Sequence, residues 1–150
     1  MKKFKFKLET VLKLREFKEE EAKLKLGEVV REMEEENYKI NNLKKELDEL
    51  YKQKDQMMKN PSSARMLSFF PTYLKTKKED ILAHENIVYS LQKKYEKKRQ
   101  ELAEAMGEVK VMENMKEKDH QQYKKEATRK NGQDLEDILN MRYKKVKGYS

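Results

Sequence analysis

Between Ala22 and Met57 the apolar residues recur in steps of four and three: Ala22, Leu26, Val29, Met33, Ile40, Leu43, Leu47, Leu50 and Met57, with Glu36 and Lys54 in the two places where the row is interrupted. That spacing puts one narrow stripe along a helix, and a sustained heptad stripe is buried only against a second one. The same spacing returns from Leu74 onward, at Ile81, Val88, Leu91, Tyr95, Leu102, Ala105, Val109 and Met112. Two stripes joined by one short segment with proline and serine predict an all-α fold: a long two-helix antiparallel coiled-coil hairpin with a bend near residues 60–71.

The pattern also sets expected boundaries. Phe4 and Phe6 alternate with lysines, a period that suits an extended piece, while Leu8, Val11 and Leu12 begin a helical face. Helix one is expected over about 5–59, with Arg15 and Glu19 as polar intrusions in the stripe. Acid-first pairs at i,i+4, Glu21 with Lys25 and Glu35 with Lys39, add a few tenths of a kcal/mol each. Pro61 disfavours helix at Asn60, and Ser62 or Ser63 can cap the next helical turn. Pro71 suits the first turn of helix two, expected over about 72–146. Met66, Leu67, Phe69 and Phe70 crowd the bend, where they close the end of the stripe or meet a partner. Asn131-Gly132 is a local weak point; beyond it Leu135, Ile138, Leu139 and Val146 keep helical spacing out of phase with the earlier heptads. Helix two outlasts helix one, so its last part must pair with residues near the N-terminus or with another molecule. Residues 1–150 are expected to form one coiled-coil domain.

Composition sharpens this reading. Of the 150 residues 43% are charged and 36% apolar, with four Gly, two Pro, no Trp and no Cys. A compact globule carries more apolar residues and more turn formers, and a disordered chain lacks long apolar periodicity. The absence of cysteine excludes a disulfide scaffold and thiolate metal sites. No apolar run approaches the roughly 20 residues that cross a bilayer, and the N-terminus lacks the apolar core of a secretion signal; a soluble cytosolic protein is expected. The net charge of +8 is concentrated at the ends: residues 1–7 hold four lysines and no acid, and Arg142, Lys144, Lys145 and Lys147 also stand without an acid among them.

Equipment for catalysis is not apparent. There is no Gly-rich phosphate loop, no nucleophile elbow and no zinc-protease pair of histidines. His84 and His120 are 36 residues apart, about 54 Å along one helix, too far to share a metal. His84 falls at a seam position, where a satisfied neutral histidine is the ordinary occupant. The chain is read as non-enzymatic, with no cofactor and no small-molecule substrate. Tyr51 and Tyr73 flank the bend; with Phe70, they suit either a partner contact or packing of the hairpin.

The run Phe4-x-Phe6-x-Leu8-Glu9-x-Val11-Leu12-x-Leu14-Arg15-Glu16-x-x-Glu19 resembles the opening of the flagellar export protein FliJ family, and Leu135-Glu136-Asp137 with Arg142 resembles a second stretch of that family, with the acids transposed. The resemblance extends over nearly the whole chain in size, charge and layout. It implies a component of the bacterial flagellar type III export apparatus, similar in fold to the two-helix stalk of rotary ATPases. Its implied partners are the hexameric export ATPase FliI, the export gate protein FlhA and export chaperones, and its implied location is the cytoplasmic side of the inner membrane at the flagellar base. The ends near both termini would enter the ATPase ring, with Arg15, Lys18, Arg129 and Arg142 as candidate contacts to acidic loops. The gate-binding face would comprise Tyr73, Leu74, Lys77, Asp80, Ile81 and His84, opposite Leu47 and Tyr51. Lys77 and Asp80 stand there where the family pattern calls for apolar residues.

Three other readings compete: the equivalent stalk of a virulence secretion system, a basic coiled-coil nucleic-acid binder, and a homo-oligomeric structural coiled coil. Mixed charge and the lack of a base-reading motif weigh against nucleic acid, and an intramolecular hairpin is expected to be monomeric when free.

Overall fold

The computed structural model describes residues 2–60 and 64–148. Its three helices are, in chain order, α1 (Glu9–Met58), α2 (Ala64–Leu67) and α3 (Phe70–Lys147). The long helices α1 and α3 are antiparallel and packed on one another as a coiled-coil hairpin: Glu46 meets Lys77 at 2.6 Å, and Glu36, earlier on α1, meets His84, later on α3, also at 2.6 Å. The caps expected at Ser62 or Ser63, and the break at Pro61, lie outside the described residues.

Helix α1 begins at Glu9, later than the spacing suggests, because residues 2–6 do other work. In a helix Phe4 and Phe6 would point to different sides, whereas in an extended strand side chains two apart share a face. Outside the helix, both reach α3: Phe6 is buried beside Leu12, Val109 and Met112, and Phe4 packs against that cluster. The first helical acid, Glu9, suits the positive end of the helix dipole. The other end of α1 tightens into bonds over three residues, Lys59 N–H to Gln56 and Asn60 N–H to Met57, the usual way that last carbonyls find donors.

Helix α3 starts at Phe70, so that Pro71 lies inside its first turn, where a missing N–H costs nothing. It runs through Asn131-Gly132 without a break; a glycine there weakens a helix by about 1 kcal/mol relative to alanine but does not end it. Of the local ion pairs, Glu21–Lys25 forms at 3.5 Å. Lys39 instead takes Glu36 at 3.2 Å, and Glu35 pairs with Arg31 at 3.9 Å.

Contacts along the chain gather into two compact units, residues 20–103 and residues 1–19 with 104–150. In the first, Val29 and Ile40 of α1 and Phe70, Leu74 and Ile81 of α3 are buried. The seam continues through half-buried Leu26, Met33, Leu43, Leu47 and Leu50 on one side and Val88, Leu91, Tyr95 and Leu102 on the other. In the second, Phe6, Leu12, Val109 and Met112 form the core. Past Ala127 every described residue of α3 is exposed.

Candidate partner-binding surfaces

In the unit of residues 20–103, the polar intrusions of the seam are answered across it. Glu36 and His84 both occupy seam positions and are both half-buried. Among the described residues, no side-chain polar atom is buried without a partner. The carboxylate of Glu36 only accepts, so His84 Nδ1 donates to it, at 2.6 Å. This bond, aided by Lys39, holds the Glu36 carboxyl below the usual carboxylate range. Lys77 likewise leans across to Glu46, which explains a lysine where an apolar residue was expected.

The eight residues expected on the gate face are therefore split. Leu74 and Ile81 are buried, and Leu47, Lys77 and His84 are half-buried in the seam, committed to the other helix. Tyr51, Tyr73 and Asp80 are exposed, but the two tyrosines line different grooves. Tyr73 lies with Leu50, Gln53, Met57, Met66, Phe69 and Phe70 around an apolar groove of about 430 Å³. Tyr51 lies with Lys54, Pro71, Leu74, Lys75, Lys78, Glu79 and Leu82 around one of about 560 Å³, open to solvent. Phe70, left open between packing and partner, is buried, while Tyr73 is 59% exposed and free to meet a partner.

In the unit of residues 1–19 and 104–150, the four candidate ring-contact cations do not form one patch. Arg15 is a half-buried seam residue and Lys18 is exposed. Leu12 packs in the cluster with Met112, so Arg129 stands 17 residues, about 26 Å, further along α3. Arg142 is 13 residues beyond Arg129, which at about 100° per residue puts the two on widely separated sides of the helix. What this unit does gather is charge: its 18 cations against 12 acids account for six of the eight excess positive charges.

The same unit holds an arrangement the spacing did not reveal. Opposite His120 and Tyr123 stands the segment of residues 2–6, not α1. The Phe4 ring lies 4.8 Å from His120 and 5.5 Å from Tyr123, the Tyr123 hydroxyl donates to the Lys2 carbonyl, and Lys116 bonds Glu9 at 2.9 Å. The alternation of Phe4 and Phe6 was the available signal; nothing local says which part of α3 they meet. On the far part of α3, Leu135, Ile138, Leu139 and Val146 are exposed.

Among the described residues no three His, Asp or Glu side chains could hold a metal, and no helix is long and apolar enough to cross a membrane. Paired long helices, charged outer faces and shallow open grooves define a coiled-coil protein. The model of the family described as flagellar FliJ protein matches residues 4–148. The chain belongs to that family and is thereby a component of flagellar type III protein export. Neither a search of curated proteins nor one of solved structures found a match.

Proposed function

We propose that the chain is a non-enzymatic stalk of the flagellar export apparatus, which binds the hexameric export ATPase FliI through residues near both termini and meets the export gate FlhA and export chaperones through the bend side. The observation that carries this is the family match over 4–148, joined to an antiparallel seam that is maintained through polar positions. The location of the excess charge supports it: the terminal residues are basic, as suits association with an acidic partner, while the unit with the bend is nearly balanced. On this reading the free chain is monomeric and is held at the inner membrane by its partners.

The test is direct. Added to purified FliI, the chain is expected to raise hexamer formation and ATP hydrolysis at low salt, with the effect falling as salt screens it. Arg142→Glu, at an exposed position on α3, should retain full helicity and weaken the stimulation. No stimulation by the wild-type chain would remove the ATPase role, and failure of immobilised chain to retain FlhA would remove the gate role.

A further inference from the structure

Beyond Ala127 helix α3 continues to Lys147 with every described residue exposed. At about 100° per residue, Leu135, Ile138, Leu139, Arg142 and Val146 fall in one stripe on it. The four apolar members of that stripe are all exposed.

The charges beside the stripe are sorted along the helix. Asp134, Glu136 and Asp137 come first; Arg142, Lys144, Lys145 and Lys147 come last. Elsewhere on the long helices acids and cations stand three or four apart and pair, as Glu21 does with Lys25 and Lys98 with Glu101. Within this group no acid stands three or four residues from a cation. Asp134, Glu136 and Lys145 have no ionic partner among the described residues. Three acids against four cations leave the stretch nearly neutral, although the unit around it is basic.

Sorted charge becomes complementary when a helix meets its own copy reversed. With a two-fold axis beside Asn140, Leu135 lies level with Val146 of the second copy, Ile138 with Arg142, and Asp134 with Lys145, and each contact occurs twice. Asp134 and Lys145 are 11 residues apart, close to three full turns, so they share one edge of the stripe. Glu136 and Lys147, also 11 apart, share the other. Arg142 lays its stem over Ile138 and turns its head to solvent, as long cationic side chains do.

We propose that the free chain pairs with a second copy of itself through this stripe, α3 against α3 and antiparallel, with Asp134 of each copy on Lys145 of the other. A parallel pair would set acid against acid and cation against cation. The overlap of residues 134–147 is about 21 Å long, short for a stable interface, so the chain is monomeric when dilute and pairs as its concentration rises. The pairing is independent of the ATPase role.

Sedimentation of the full chain measures it. The average mass is expected to rise from that of one chain towards that of two with concentration, and less steeply at high salt. Leu139→Ser, at an exposed position, should weaken association about tenfold and leave the thermal melt of the dilute chain in place. Asp134→Lys and Lys145→Glu should each weaken it about tenfold. An equal mixture of those two variants should restore it, because every facing pair is then opposite in charge again. Lys144→Glu, on the far side of the helix, should leave it unchanged. A chain that stays monomeric at every concentration, association that survives Leu139→Ser, or a mixture that associates no better than either variant alone would overturn the proposal. So would binding of vesicles of anionic lipid through Leu139 by a chain that does not self-associate, since lipid would then cover the stripe.

Discussion

The unit of residues 20–103 and the unit of residues 1–19 with 104–150 use the same kind of helix for different ends. In the first, two helices face each other and every polar seam residue from Lys77 to His84 has an acid opposite. In the second, the pair of Glu9 and Lys116 stands where α1 begins; the segment of residues 2–6 then takes over, and past Ala127 every described residue of α3 is exposed. Helical spacing persists through all of it. Spacing therefore reports that a helix has an apolar side, while the partner of that side depends on how far the other strand of the hairpin reaches.

The largest effect that tests this contrast is a charge in the closed seam. Val29 is 1% exposed, and Val29→Asp should lower stability by about 4 kcal/mol, the order expected for an unpaired buried charge. Thermal melting followed by circular dichroism measures it. Leu43→Asp, at a half-buried position, should act in the same direction with a smaller loss; an unchanged melt would mean that Leu43 contributes nothing to the seam.

In the unit with the termini, Phe6→Ala should cost about 3 kcal/mol locally. Hydrogen exchange should show faster amides around Leu12 and Met112 with those around Ile40 unchanged. Tyr123→Phe removes only the hydroxyl that donates to Lys2 and should cost about 1 kcal/mol, read as release of the N-terminal segment. If Phe6→Ala loosens both units equally, they are not separate in their stability.

A pH series sharpens the comparison further. The folded-state pKa of Glu36 is depressed by His84 and then Lys39. A depressed carboxyl contributes stability that is present above its unfolded value, 4.5, and is lost as pH falls through the lower folded value. Glu36→Gln should thus be less stable than wild type at neutral pH, and the gap should close in acid. A gap that stays constant down through that range would show that the Glu36 charge is not coupled to folding. Smallest of all, Leu139→Ser on the exposed part of α3 should shift stability by no more than about 0.5 kcal/mol, in contrast to the seam substitutions.

Much of the architecture was legible. Each position of the expected α1 row, including Arg15, Glu19, Glu36 and Lys54, is buried or half-buried. Periodicity is a local property, so a polar residue can be assigned to the seam from its neighbours alone. The boundaries were less accessible: Pro71 takes its expected place in the first turn of α3, but the late start of α1 depends on what Phe4 and Phe6 touch. The candidate contact residues were least legible, since Lys77 and His84 turned out to be joined to α1, and Tyr51 and Tyr73 to lie in separate grooves.

The order of residues by itself determined that two long amphipathic helices form, where the chain reverses, and which side of each helix is apolar, because these depend on helix period and on proline chemistry within a few neighbours. The tertiary structure alone decided that Glu36 meets His84, that Phe4 lies on His120 and Tyr123, and that lysines from two helices share one groove. Those pairings depend on the relative sliding of α1 against α3, a coordinate that no single segment encodes and that only their contact sets.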